Sequence, residues 1–240
     1  MSNFLSGAVS VAAQSLHSSS ADQMHKLGEI IFANDGRAFR YAEAGADALV
    51  AGNLQSSQAQ DTDTQNMTSA VQAVGDLSIA SSTTVTVTAN EYAEGFILVS
   101  VTPGVGKNYK IKGHIAYSSA APTFNLDESV VVALTATSRL DALANPYKDV
   151  VVAATTFVSA AVGVAVHAIA IDQFGWLQVH GLANCLVDGT GVIGEPVIRS
   201  NGVAGSVEPA TTTYTVQGNA GWAATAISNT EYGAIFLQLP

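Results

Sequence analysis

The chain has 240 residues, of which 12% are charged and 48% hydrophobic; an ordinary soluble domain carries about 25% charged residues. Nine basic against nineteen acidic residues leave a net charge of −10, which repels phosphate and argues against a nucleic-acid partner. A single cysteine, Cys185, excludes an intrachain disulfide and reads as a small buried hydrophobe.

Residues 1–27 are rich in Ser, Ala and Gln and lack a strand pattern. They read as an N-terminal arm, extended or partly helical, with Leu5, Ala8, Ala12 and Leu16 at helical spacing. No Lys or Arg precedes Lys26, so the basic start of a secretory signal is missing. Gly28 to Ala44 is the clearest local structure: a strand Glu29–Ala33, an Asn34-Asp-Gly36 turn and a returning strand Arg37–Ala42. Phe39 and Tyr41 share one face and Arg40 takes the other. Residues 55–65 are polar and read as an exposed loop. Met67–Val74 is expected as one or two helical turns stopped by Gly75.

Thr83-Thr-Val-Thr-Val-Thr88 alternates strictly, so Val85 and Val87 face inward. Phe96–Val101 is a strand, Pro103-Gly-Val-Gly106 turns it, and Tyr109–Tyr117 returns with Tyr109, Ile111, Gly113 and Ile115 on one face. Val130–Leu134 reads as a further strand. Ser138–Ala144 reads as a short helix with Ser138 as N-cap and Leu140 and Leu143 as its apolar side, ended by Asn145-Pro146. The richest stretch is Val150–Val187, a series of Val-, Ile-, Thr-, Phe- and Trp-rich strands centred on Gly175–Gly181. Its uncharged part, Val150–Ile171, is long enough to cross a bilayer, but Thr, Ser, Gly163 and His167 and the lack of flanking basic residues argue for strands and against a membrane partner. Gly194–Gly202 echoes Gly28–Gly36 as a second Gly-Glu hairpin, with Pro196 at an edge or at the first residues of its strand. Thr211–Gln217 and Ala234–Leu239 close the pattern.

Many short strands, regular Gly turns and little helix predict an all-β fold, an antiparallel sandwich or barrel. The expected division is the arm 1–27, a β-module over 28–75 continuing in 148–240, and a second β-subdomain over 76–147.

Signals that resemble chemistry lack their context. Gly189-Thr-Gly-Val-Ile-Gly194 matches a dinucleotide fingerprint, but a strand start follows it where a helix is needed, and Glu195 repels phosphate. Asp61-Thr-Asp63 opens like a calcium loop, yet Asn66 and Gln72 stand where Gly and Glu belong. His17, His25, His114, His167 and His180 show no metal-ligand spacing. No catalytic, cofactor-binding or metal-ligating residue is predicted, and no enzyme activity.

A resemblance adds what these patterns do not. Ala89-Asn-Glu-Tyr-Ala-Glu-Gly95, Tyr109-Lys-Ile111, Leu134 to Tyr147, Gly175-Trp-Leu-Gln-Val-His-Gly181, Val187-Asp-Gly-Thr190 and Gly194-Glu-Pro-Val197 occur in this order after the first hairpin. That order resembles tailed-bacteriophage virion proteins of the capsid decoration, or cement, kind, across most of residues 28–240. The resemblance implies a protein on the outside of an assembled head, commonly a homotrimer, that binds the major capsid protein and reinforces capsomer junctions. Phe4, Leu5 and Leu16 of the arm are then expected to contact the capsid or a neighbouring subunit. The alternative is a tail, fibre or head-spike component that adheres to host glycans, for which Trp176 and Trp222 are the aromatic candidates.

Overall fold

The structure, a computed structural model, describes residues 14–210 and 219–239. Among them there are eighteen β-strands and no helix, so the all-β prediction holds. The chain divides into two compact units. The first is formed by residues up to Ala59 together with those from Pro146 onward, and the second by Gln60–Asn145.

The first unit holds β1 (Ile30–Phe32), β2 (Ala38–Glu43), β3 (Leu54–Ser56), β12 (Val151–Val152), β13 (Ala161–Ala165), β14 (Phe174–Leu186), β15 (Pro196–Arg199), β16 (Val207–Pro209), β17 (Asn219–Ala223) and β18 (Tyr232–Gln238). They form one sheet in the order β12-β3-β13-β14-β18-β17-β15-β16, with β2 also on β14 and β1 on β2. The 13-residue β14 is the hub. Its first half pairs with β2 (Leu177↔Arg40) and with β13 (Ala165↔Leu177), and its second half pairs with β18 (Ala183↔Ile235). β14 runs unbroken through Gly181, which takes φ +85, and a bulge lies just before it, between Gln178 and His180 in the pairing with β2.

This sheet is a tandem duplication. Repeat 1 is β2, β3, β12, β13 and the first half of β14; repeat 2 is the second half of β14, β15, β16, β17 and β18. The same main-chain bonds recur in both. Gly52 N–H donates to Ala165 O (2.7 Å) as Gly194 N–H does to Ala223 O (2.8 Å). Leu49 and Ile169 exchange two bonds, as Gly191 and Ile227 do, and Ala153 N–H donates to Leu54 O as Ala210 N–H does to Pro196 O. A parallel bridge, Ala44↔Val150 in one repeat and Val187↔Val207 in the other, brings the two edges of each curled sheet together. The left-handed turn residues Asp172 (φ 56) and Thr230 (φ 62) also correspond. So do Gly175 and Gly233, whose absent Cβ atoms leave room for Ile169 and Ile227 respectively.

The sequence echo between Gly28–Gly36 and Gly194–Gly202 is therefore not the repeat. The counterpart of Gly194-Glu195 is Gly52-Asn53, and β15 lies between β17 and β16, whereas β1 pairs with β2 alone. Pro196 occupies the first position of its strand, where no donor is needed.

The second unit holds β4 (Met67–Thr68), β5 (Ser78–Ala80), β6 (Val85–Val87), β7 (Phe96–Val101), β8 (Asn108–Gly113), β9 (Tyr117–Ala120), β10 (Thr123–Leu126) and β11 (Arg139–Leu143). Six strands run in the order β4-β11-β7-β8-β10-β5. The Ser69↔Ser81 bridge, with Ala70 N–H to Ala80 O (2.9 Å) and Ser82 N–H to Thr68 O (2.8 Å), joins the two ends into a closed antiparallel barrel. Met67, Ile79, Ile97, Val99, Tyr109, Ile111, Phe124 and Leu140 fill it, and Val85 and Val87 of the β6–β9 ribbon join the same core.

Five sequence expectations change here. Residues 60–75 belong to this barrel, not to the first module, because β4 pairs with β11 (Leu140↔Met67). Met67–Val74 is a short strand and a loop, not a helix. Ser138–Ala144 is β11, where Leu140 and Ala142, two residues apart, are both buried; period 2 outweighs the weaker helical spacing of Leu140 and Leu143. Val130–Leu134 contributes a single bridge at Leu134 and a bend instead of a strand, and the alternation after Gly113 breaks, so that His114 is buried and Ile115 exposed.

Candidate interaction surface

The arm is tied down at its described end. Gln14 Nε2 donates to Phe174 O (2.8 Å), and the Tyr41 hydroxyl donates to Gln14 Oε1 (2.6 Å). Ser20 and Phe174 exchange two main-chain bonds. Residues 14–27 run through turns and bends, with no helix. Leu16, expected as a partner contact, is buried with Leu27, Ile31, Tyr41 and Trp176 in the core of its own unit. Phe4 and Leu5 lie outside the described residues.

Under this arm sits an aromatic cluster. The His25 ring lies 5.1 Å from Tyr41 and 4.9 Å from Trp176, with its Nδ1 3.3 Å from Glu29. Burial raises the Tyr41 hydroxyl above its ordinary range. Trp176 is thus a core residue. His180 does not share its burial: after the bulge between Gln178 and His180 it is exposed and meets the edge of Phe236, 5.5 Å away. The other aromatic candidate, Trp222, is partly exposed and stacks on Phe236 with ring centroids 4.6 Å apart and 8° between planes.

Strand register places Trp222 in a row across the sheet. Leu182 of β14 pairs with Phe236 of β18, Phe236 with Trp222 of β17, and Trp222 with Pro196 of β15. Leu182 is 54% exposed, Trp222 37%, and the neighbouring Tyr232 48%. No Asp, Glu, Lys or Arg occurs in β17, in β18 or in Gly181–Leu186. A groove of about 380 Å³ opens beside the row, lined among others by Arg37, Gln178, Leu182, Asn184 and Tyr232.

In the barrel, three hydrogen-bonded segments carry exposed aliphatic side chains. Val71, Val74 and Leu77 lie on the β4–β5 connection, Val105 on the β7–β8 turn, and Val131 on the 127–134 segment. Gln72 and Leu134 exchange main-chain bonds, Gly75 N–H donates to Val130 O, and Val130 N–H to Asp76 O. Asp76 also accepts from Ala73 N–H (2.8 Å), which fixes the turn.

The remaining motifs are structural. Glu195 accepts from Val192 N–H (2.9 Å) and closes the Gly189–Gly194 turn ahead of a strand. Asp61 accepts from Asp63 N–H in the same manner. His114 is buried, accepting from Tyr92 N–H at Nε2 (3.0 Å) and lying 2.9 Å from Ile115 O at Nδ1. Burial alone pushes the Cys185 thiol up to about 12, far from a nucleophile's range. Among the described residues no group of His, Cys, Asp or Glu is arranged to hold a metal ion.

Comparison with protein-family models, with curated proteins and with solved structures found no match to this chain.

Sequence reasoning missed the exposed row because its members lie on four strands. Only register unites them, and Trp222 in a Gly-flanked strand reads as core.

Proposed function

We propose that the protein is a structural binding component of a tailed-phage virion, seated on the outside of the assembled head. The major capsid protein is its partner, and the working form is a homotrimer. The sequence resemblance points to this class. The observation that supports a protein partner is the aliphatic rim of the barrel: Val71, Val74, Leu77, Val105 and Val131 stand exposed on segments fixed by backbone bonds. Branched aliphatic tips offer dispersion and apolar burial to another protein surface and few hydrogen bonds to a sugar. Many modest contacts of this kind, one set per copy, favour the assembled shell by mass action.

The test is co-sedimentation of the purified protein with heads assembled without it, followed by survival of those heads on heating. Saturable binding at a fixed copy number with tougher heads is expected, and Val74→Asp with Val131→Asp is expected to weaken it. Heads that bind nothing would overturn the reading.

A second reading, adhesion to a host glycan, draws on the partly exposed Trp222 and Tyr232, since aromatic faces stack on sugar rings. It predicts binding to soluble oligosaccharides that Trp222→Ala abolishes.

A further inference from the structure

The duplication supplies an internal control for the exposed row. Its counterpart in repeat 1 follows from the same registers: Phe39 pairs with Gln178, Gln178 with Val164, and Val164 with Leu54. Phe39 stands where Leu182 stands in repeat 2, Gln178 where Phe236 stands, Val164 where Trp222 stands and Leu54 where Pro196 stands. All four residues of the repeat 1 row are at most 2% exposed. The two flanking aromatics of repeat 1, Phe174 and Tyr41, are buried as well, while their counterparts Tyr232 and Asn184 are exposed.

What covers the repeat 1 row is visible. Leu54 and Val164 pack into the core of repeat 2, among Ala183, Cys185, Val197 and Leu237, and Leu54 N–H donates to Gly205 O of repeat 2 (2.7 Å). The arm covers the Tyr41–Phe174–Trp176 side. This face of the repeat is therefore one that packs against another copy of the repeat. In repeat 2 the same face keeps an apolar character, Leu182, Phe236, Trp222 and Pro196, and among the described residues no other segment closes over it as repeat 2 and the arm do over repeat 1.

We infer that the outer face of repeat 2, the row Leu182–Phe236–Trp222–Pro196 with Tyr232, is a self-association face, occupied by a second copy of this chain.

Two further observations select that occupant. Each copy carries a net charge of −10, so two copies repel unless they meet where charge is sparse; β17, β18 and Gly181–Leu186 carry none. The row also centres on a stacked Trp and Phe beside a Tyr, and Trp and Tyr are the side chains that dominate protein–protein contacts. Arg37, which lines the groove beside the row, is paired with Asp35 (2.8 Å), so a nucleic acid or an acidic ligand gains little there. The inference does not rest on the capsid reading, because it concerns contacts between copies alone.

Sedimentation velocity of the full chain over a concentration series tests it, up to about 100 μM so that a micromolar dissociation constant is captured. Concentration-dependent association is expected. Leu182→Glu is expected to raise the dissociation constant at least about tenfold, because a carboxylate then sits within the apolar contact. The far-UV circular dichroism stays unchanged, since Leu182 is exposed. Trp222→Ser, which adds no charge, is expected to weaken association in the same direction. Val158→Glu, at an exposed position of the same unit outside this face, leaves association intact. A chain that stays monomeric throughout overturns the inference, as does association that Leu182→Glu and Trp222→Ser leave unchanged. Oligosaccharide binding by a monomer that Trp222→Ser abolishes overturns it in favour of the glycan reading. Loss of head binding with self-association intact leaves this inference standing and removes only the capsid reading.

Discussion

Repeat 1 and repeat 2 have the same five-strand plan, the same bridges and the same turn glycines, yet their outer faces have opposite fates. In repeat 1 the face is interior: arm and repeat 2 close over Phe39, Tyr41, Trp176, Val164 and Leu54. In repeat 2 the same positions meet water. Burial at equivalent positions of one backbone plan is therefore set by what the rest of the chain lays over them, and side-chain chemistry lags behind. Gln178, an amide, is buried at 2% exposure with its Nε2 on His180 O (3.1 Å) and Leu182 O (2.9 Å), while Trp222 is partly bare.

The sharpest way to break this contrast is to truncate both members of an equivalent pair. Phe39→Ala removes a fully buried ring and is expected to cost about 3–5 kcal/mol. Leu182→Ala, at the same place in repeat 2, is expected to cost less than about 1 kcal/mol at concentrations where the chain is monomeric. Urea unfolding followed by fluorescence measures both; equal costs would falsify the covered-versus-open distinction.

Next in size are the paired glycines. Gly175→Ala and Gly233→Ala each place a methyl within 3 Å of Ile169 and Ile227 respectively, so both are expected to lose about 1–3 kcal/mol. Similar losses at the two sites support the structural equivalence. At Gly36 nothing stands within 4 Å of the added methyl, but φ is +86. Gly36→Ala is expected to cost about 1 kcal/mol through backbone strain alone, read from the same urea midpoints.

A gentler comparison uses Cys185, whose repeat 1 counterpart is Ala42. Cys185→Ala copies repeat 1 and is expected to cost about 1 kcal/mol at neutral pH, as a small cavity does. It also changes the alkaline behaviour. A group whose folded pKa lies above its unfolded value contributes stability that is whole below the unfolded pKa and fades as pH rises through the folded one. Cys185, raised from 9.0 to about 12, loses its share over that window, and Tyr92, raised by burial from 10.0 to about 12, adds to the decline above pH 10. Stability is expected to fall above about pH 9 in the wild type and less steeply in Cys185→Ala, by chemical denaturation at stepped pH.

The smallest expected effect is at Lys148. Desolvation lowers its pKa, but the 2.9 Å hydrogen bond to Glu43 and the nearby charge of Asp149 outweigh that and leave it raised. Its contribution is whole below its ordinary range near 10.5 and fades above it. Lys148→Met is expected to cost about 0.5 kcal/mol at neutral pH, with the bond to Glu43 removed, as read from thermal midpoints.

Most of the strand content was legible because it rested on local physics. The Asn34-Asp-Gly36 turn and the alternation of Phe39 and Tyr41 specify the first hairpin, and Val85 and Val87 alternate into their core as written. The failures are equally physical. Leu140 and Leu143 satisfy a helical spacing while Leu140 and Ala142 satisfy a strand's, and in so short a run only cross-strand partners decide. Nothing local shows that β14 continues through Gly181; only the pairing of the residues on either side of it does. The duplication is faint. Gly163, Ala165, Ala168, Ile169 and Gly175 recur as Gly221, Ala223, Ala226, Ile227 and Gly233, the positions where backbone or a neighbouring side chain comes closest, while the intervening residues differ. The Gly-Glu echo drew attention instead because turn chemistry repeats wherever turns do. The exposed row was illegible, since exposure depends on coverage, which no local pattern encodes.

The place at which the second unit interrupts the first also imposes an order in time. The chain leaves repeat 1 after β3 and resumes it at β12, which pairs with β3 through Val151↔Ser56. The same connection in repeat 2 is the short stretch between β15 and β16. Gln60–Asn145 is contiguous and emerges whole from a ribosome. β2 and β3 emerge earlier but wait for their partners β12, β13 and β14. At about 5–20 residues per second that wait lasts on the order of ten seconds, during which Leu54 has none of its eventual cover and Phe39 and Tyr41 have only that of the arm and β1. Nascent chains stalled once Pro146 has cleared the ribosome should therefore resist protease across the barrel while the segment before Ala59 is cut. A chaperone acting on this protein would find its work in those first sixty residues.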